Sequence, residues 1–259
     1  MTAPAPFPSP FRSDALAGRT ALVCGASSGI GRAVALALQD AGARVFGLAR
    51  RAEALAELGL DGVVAHDLED LDGLPAALAD LPPVQVLVLN AGGPPAGPIA
   101  EAEPADFGRA MRRHLFANQV LLKRFLPDME AAGYGRVLAV VSTSVRQPIP
   151  NLGVSNTVRG AVASWAKTWS KELPPGVTIN CLLPGYTDTD RLRALAEANA
   201  ARRGVTADEV VAGWLATIPE GRLGYPEELA ALAVFLASPA GGYVRGQAIA
   251  VDGGRLDCI

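Results

Sequence analysis

The amino-acid sequence predicts an α/β fold: a doubly wound, seven-stranded parallel sheet with helices on both faces. Three observations lead there. Short apolar runs alternate along the chain with longer amphipathic segments, the pattern of strands joined by crossover helices. The apolar runs are mostly continuous, as expected of strands covered on both sides. A glycine-rich turn lies between the first run and the first helical segment, where folds of this kind bind their ligands.

The strands are predicted at Thr20–Cys24, Arg44–Leu48, Gly62–Ala65, Val84–Leu89, Arg136–Val141, Thr178–Leu182 and Gln247–Val251. Helices are predicted at Ile30–Ala41, Ala105–Ala131 and Val154–Leu173. In the last, Val154, Val158, Ala161, Val162, Trp165, Ala166 and Trp169 form one stripe at three-and-four spacing. Residues 186–222 form an insertion read as two helices, about Asp190–Ala201 and Thr206–Thr217, long enough to serve as a substrate lid. Another helix begins near Pro226. No repeat or Gly/Ser linker divides the 259 residues, so residues 19–259 read as one domain. Residues 1–18, with Pro4, Pro6, Pro8 and Pro10, read as an arm that is mobile or strapped down.

Composition excludes several classes of function. The chain is 50% hydrophobic with a net charge of −3, unlike a disordered segment. It lacks the basic field of a nucleic-acid binder. The longest uncharged stretch, Val84 to Ala100, is interrupted by Gly92, Gly93, Pro94, Pro95, Gly97 and Pro98, and so does not predict a membrane helix. No basic-then-apolar leader stands at the N-terminus. Cys24, Cys181 and Cys258 are too few and too scattered for a disulfide framework. A cytoplasmic protein is expected. With only His66 and His114 present, no His-rich metal site is expected either.

The first strand runs directly into Gly25-Ala26-Ser27-Ser28-Gly29-Ile30-Gly31, followed by an alanine-rich helix. A pyrophosphate needs close backbone approach at a helix N-terminus, where free N–H groups and the helix dipole favour negative charge. Glycines at 25, 29 and 31 permit the tight exit, the close approach and the helix–sheet contact that a Rossmann dinucleotide site requires. The second strand ends at Ala49-Arg50-Arg51. An acidic residue there would hold the ribose hydroxyl of NAD, whereas Arg50 accommodates a 2′-phosphate, so NADP(H) is favoured over NAD(H). The alternative is that Arg50 and Arg51 merely begin a solvated helix.

The chain resembles the short-chain dehydrogenase/reductase family across essentially residues 18–254. Cys24 through Gly31 matches the family's glycine motif except at Cys24, where Thr is usual. His66-Asp67-Leu68 matches the segment at the adenine, and Asn90-Ala91-Gly92 matches the motif after the fourth strand. Pro184-Gly185 with Thr189 matches the segment beside the nicotinamide. Arg222 to Glu228 and Val251-Asp252-Gly253-Gly254 resemble the 3-oxoacyl-acyl-carrier-protein reductase branch. The resemblance implies a cofactor site built from Gly25, Ser27, Ser28, Gly29, Ile30, Gly31, Arg50, Asp67, Leu68, Asn90, Ala91, Gly92, Pro184, Gly185 and Thr189. It also implies a small-molecule carbonyl or alcohol substrate and a homodimer or homotetramer paired through the long helices and the C-terminal region.

The catalytic residues depart from the family pattern of a Ser, a Tyr thirteen residues on and a Lys four beyond that. Ser142 fits the first position; Ser155 and Arg159 occupy the other two. His114 stands near the position where the family places an Asn. The local pattern around Ser155 and Arg159 resembles a divergent subgroup with an altered tetrad. An alkyl hydroxyl is a far weaker acid than a phenol, and a guanidinium does not readily relay a proton. Ser142, Ser155 and Arg159 can still polarise a carbonyl by hydrogen bonding.

His114, with a reference pKa near ~6.5, is a candidate acid–base group, though a lone helical His is more often structural. Tyr186 follows Pro184-Gly185 and either projects into the site or closes the lid over the substrate. Arg191 either binds a substrate carboxylate or phosphate, or pairs with Asp188 or Asp190 at the surface. Two functions therefore stay open: an NADP(H)-dependent oxidoreductase with an altered tetrad, and a non-catalytic dinucleotide-binding sensor or scaffold.

Overall fold

A computed structural model describes residues 9–258 except Phe11; Pro4, Pro6 and Pro8 of the expected arm lie outside the described residues. Seven parallel strands form one sheet in the order β3-β2-β1-β4-β5-β6-β7. They are β1 Thr20–Cys24, β2 Arg44–Ala49, β3 Gly62–Ala65, β4 Val86–Leu89, β5 Gly135–Val140, β6 Val177–Pro184 and β7 Ala248–Val251. The helices are α1 Gly29–Asp40, α2 Ala52–Ala56, α3 Leu74–Ala77, α4 Pro104–Met111, α5 Ala117–Ala131, α6 Gly153–Glu172, α7 Asp190–Arg203, α8 Ala207–Leu215 and α9 Pro226–Ala237.

Strand side chains alternate between faces, so each buried strand feeds two cores. On one face Ala21, Val23, Val45 and Val86 meet Val34 and Leu38 of α1 and Leu229, Ala233 and Leu236 of α9. On the other, Leu22, Cys24, Leu87 and Val137 meet Leu121, Phe125 and Met129 of α5 and Val162 and Ala166 of α6. The described part of the N-terminal segment is strapped to the first core. Leu16 is fully buried there, and its N–H donates to Ala41 O at 2.8 Å.

The helix predicted over Ala105–Ala131 is divided. Arg112–Phe116 form a π turn between α4 and α5, a local widening that frequently marks a functional site. It carries Arg113 and His114. The strand predicted from Val84 begins two residues later, because the Val84 N–H turns to Asp128 Oδ2 at 3.4 Å.

The 186–222 segment holds α7 and α8, joined at Gly204 in the left-handed conformation. Thr206 and Glu209 form a reciprocal cap on α8. The two helices share a small core of Ala196, Ala200 and Val210, separate from the two main ones.

Candidate active site

The chain reverses direction across the sheet between β1 and β4, and at such a point the strand ends diverge to leave a crevice. A cleft of about 420 Å³ opens there and extends to α7. Every residue predicted to hold the cofactor lines this cleft except Gly31, which is buried beneath it. Ser142, Ser155, Arg159, Tyr186 and Arg191 line it as well. His114 does not.

The glycine turn fits a dinucleotide. Gly25 has φ +64°, and a Cβ there would stand 2.6 Å from Asn90 Nδ2; a Cβ on Gly31 would stand 2.2 Å from Gly25 O. Side chains are thus excluded where the strand, turn and helix converge, and the backbone itself forms the floor. Helix α1 starts without a side-chain cap or an acidic residue in its first turn, leaving its N–H groups for an anion. Asn90 Nδ2 donates to Cys24 O at 3.3 Å and ties β4 to β1. Thr189 Oγ1 accepts from Leu192 N at 3.2 Å and donates to Thr187 O, so its hydroxyl caps α7. The sequence Gly25 to Gly29 also fits the Gly-x-Ser-x-Gly pattern of a hydrolase nucleophile. Here Ser27 Oγ accepts from Arg51, and His66 Nε2 hydrogen-bonds Asp70 O instead.

At the adenosine end, Arg50 Nη1 lies 3.7 Å from Asp67 Oδ2, and Arg51 Nη2 lies 3.1 Å from Ser27 Oγ. Two guanidinium groups therefore stand beside the turn. Arg51, which the sequence also allowed as the start of a solvated helix, is bound to the phosphate turn through a contact that only the fold reveals.

At the other end, Arg159 is built into the wall. Its Nη1 donates to Val141 O at 2.7 Å and Val140 O at 3.1 Å, and its Nε donates to Ser155 Oγ at 3.3 Å. Burial and the charge of Arg191 push its pKa down to about 10; it remains a cation near neutral pH. Ser142 Oγ accepts from Ser144 N at 3.0 Å. Each hydroxyl thus has a lone pair engaged and a proton left to donate.

His114 does not fit the acid–base role its reference pKa suggested. It is buried in the π turn, and its Nε2 finds no hydrogen-bond partner among the described residues. Burial foremost, then the charges of Arg159 and Arg113, push its pKa down to about 3, so it is neutral in the folded protein. Tyr186 stacks on Trp214 of α8, with centroids 4.8 Å apart and planes at 14°. The guanidinium of Arg255 lies 4.6 Å from the same ring. Arg191 pairs with neither neighbouring acid: Asp188 and Asp190 both go to Arg193, and Arg191 Nη2 donates to Pro94 O at 2.5 Å. Arg255, also in the cleft wall, carried no signal in the sequence beyond following the Asp252-Gly253-Gly254 motif. A Cβ on Gly185 would stand 2.7 Å from Asp252 Cα, and that close approach brings the C-terminal segment to the site. No helix among the described residues is long and apolar enough to cross a membrane.

Comparison with known proteins agrees with this geometry. The family model described as enoyl-(acyl carrier protein) reductase matches residues 25–255. The chain is 32% identical over 253 residues to 2,3-dihydroxy-2,3-dihydro-p-cumate dehydrogenase of Pseudomonas putida, covering 92% of this chain and 95% of that one. It is 33% identical over 251 residues to a 3-oxoacyl-acyl-carrier-protein reductase of Vibrio harveyi, covering 92% and 98%. Among solved structures, L-sorbose reductase from Gluconobacter frateurii, complexed with NADPH and L-sorbose, superposes with a TM-score of 0.88 at 27% identity, covering 96% and 100%. The chain is an oxidoreductase of the short-chain dehydrogenase/reductase family.

Proposed function

We propose that the protein is an NADP(H)-dependent oxidoreductase that interconverts a small-molecule carbonyl compound and its alcohol, in the manner of the 3-oxoacyl-acyl-carrier-protein reductase branch but with Ser155 and Arg159 in place of Tyr and Lys. The observation that carries this reading is the Arg159 guanidinium, anchored on two β5 carbonyls and on Ser155 in the same cleft as the glycine turn. Bound there, a reduced nicotinamide would supply a hydride to the carbonyl carbon, and water entering the open cleft would supply the proton that turns the alkoxide into the alcohol. Ser142 and Ser155 donate hydrogen bonds to the carbonyl oxygen, and the fixed charge of Arg159 offsets the negative charge that grows on it. Because Arg159 stays protonated and a serine hydroxyl is a weak acid, the site polarises the carbonyl more strongly than it protonates it.

Arg50 and Arg51 favour a 2′-phosphate on the ribose, which supports NADP(H) over NAD(H). Helices α7 and α8, with their own small core, form the substrate lid, with Tyr186 beneath it. A homo-oligomer fits the outer sheet edge: all four residues of β7, Ala248-Ile249-Ala250-Val251, are only half-buried, and an apolar edge of that kind is normally covered.

The test is NADPH oxidation with a panel of ketones, oxo acids and 3-oxoacyl thioesters. Ser142→Ala and Ser155→Ala should each lower kcat by roughly 100-fold, as expected for removing one oxyanion donor, with NADPH affinity unchanged. Full activity in both variants would refute the assigned roles.

A further inference from the structure

The substrate end of the cleft gathers three guanidinium groups, those of Arg159, Arg191 and Arg255. Most other arginines on or beside the cleft are neutralised: Arg50 by Asp67, Arg113 by Glu69, Arg193 by Asp188 and Asp190, while Arg51, beside the glycine turn, bonds Ser27. These three pair with no carboxylate among the described residues. Asp188 and Asp190 are the closest acids to Arg191 in sequence, yet both turn to Arg193.

Two of the three groups, Arg159 and Arg191, converge on one point. The two atoms nearest to a Cβ placed on Gly93 would be Arg159 Nη2 at 3.5 Å and Arg191 Nη2 at 3.6 Å. Both guanidinium ends therefore face one point over that glycine, where no side chain intrudes. The internal bonds of Arg159 use its Nε and Nη1, which leaves Nη2 for a ligand. Arg255 Nε is buried with no partner among the described residues; its Nη1 reaches Thr143 Oγ1 at 3.5 Å, and the group lies over Tyr186. Like charges brought together in a partly buried cleft disfavour one another, and the fold accepts this without supplying a counter-charge.

We infer that the substrate is an oxo acid whose carboxylate binds over Gly93 between Arg159 and Arg191, with Arg255 as the third positive charge. This rests on the hydride-transfer reading of the same cleft and names its substrate class. Arg159 also sets the spacing. Its Nε side faces Ser155, where the carbonyl oxygen sits, and its Nη2 side faces the carboxylate. Those nitrogens belong to one planar guanidinium, so the two functional groups are only a carbon or two apart, as in a 2-oxo or 3-oxo acid.

Pyruvate and acetoacetate, compared with methyl pyruvate and methyl acetoacetate, provide the probes. Binding is read by quenching of tryptophan fluorescence, to which Trp214 beside Tyr186 contributes, with and without NADPH. The acids should bind at least ~30-fold tighter than the neutral esters. Arg191→Gln and Arg255→Gln should each weaken acid binding by roughly 10- to 100-fold, the range for losing a charge-assisted hydrogen bond. Ester and NADPH affinities should stay within about threefold of wild type, and Arg191→Lys should recover part of the loss. Equal binding of acid and ester by the wild-type protein overturns the inference, whether or not the variants fold. A loss confined to NADPH affinity also overturns it, because it assigns the guanidinium groups to the cofactor phosphates. Failure of NADPH to bind at all counts against the cofactor reading alone, since discrimination between acid and ester is measured on the protein without it.

Discussion

At the scale of the residue, the site is decided by which polar atoms are committed and which are left free. Arg159 commits Nε and Nη1 to the protein, so its position is set by β5 and α6. Arg159→Lys keeps the charge but cannot reproduce that fork; it should lower kcat by roughly 10-fold or more, read as NADPH oxidation. His114 gives a second prediction. Its folded pKa of about 3 lies below its ordinary value, so between pH 6.5 and 3 the unfolded chain takes up a proton that the folded chain refuses. Stability contributed by the neutral imidazole is therefore present above pH 6.5 and lost as pH falls through 3, by roughly 5 kcal/mol at most. His114→Asn should flatten that acid limb in urea unfolding and leave the pH–rate profile near neutrality unchanged. A profile that loses an ionisation near neutrality in this variant would restore His114 as an acid. The glycine turn was legible in the sequence because local backbone geometry demands it, and Asn90 because Asn90-Ala91-Gly92 matches the family's motif. Arg51, Arg255 and the burial of His114 were not, because their roles come from contacts between distant segments.

At the scale of the element, most strands and helices follow from the continuity and period of the apolar residues. The exceptions are informative. The long stripe from Ala105 to Ala131 is periodic enough to predict one helix, and the chain widens it to a π turn at Arg112–Phe116; an inserted residue of this kind leaves little trace in hydrophobic spacing. Helices α7 and α8 were legible as helices, but the reciprocal cap of Thr206 and Glu209 and the stacking of Trp214 on Tyr186 were not read from the sequence. That stack joins α8, part of the proposed lid, to the segment just after β6. Trp214→Ala should unfasten it, raising KM for the carbonyl substrate by roughly 10-fold through loss of an aromatic contact and its buried area, with NADPH affinity preserved. An unchanged KM would show that α8 takes no part in holding the substrate.

At the scale of the molecule, the strand order places every ligand-facing segment at one end of the sheet, and the sequence order of motifs already implied it. What it did not show is how the charge is shared out. The chain carries a net charge of only −3, yet Arg159, Arg191 and Arg255, with no carboxylate partner among the described residues, line one cleft, a local asymmetry that whole-chain composition averages away. The half-buried apolar edge at β7 predicts assembly: light scattering should give a mass that is an even multiple of 26.7 kDa, and a concentration-independent monomer would contradict the proposed oligomer. The measurement that tests the central claim most directly is a single-turnover experiment. Protein in excess over NADPH is mixed with an oxo acid while nicotinamide absorbance and alcohol product are followed together. The account predicts oxidation of NADPH matched one for one by alcohol, much slower in Ser155→Ala. Tight NADPH binding without oxidation by any carbonyl in the panel would contradict it, and would make the cleft a sensor of the nucleotide.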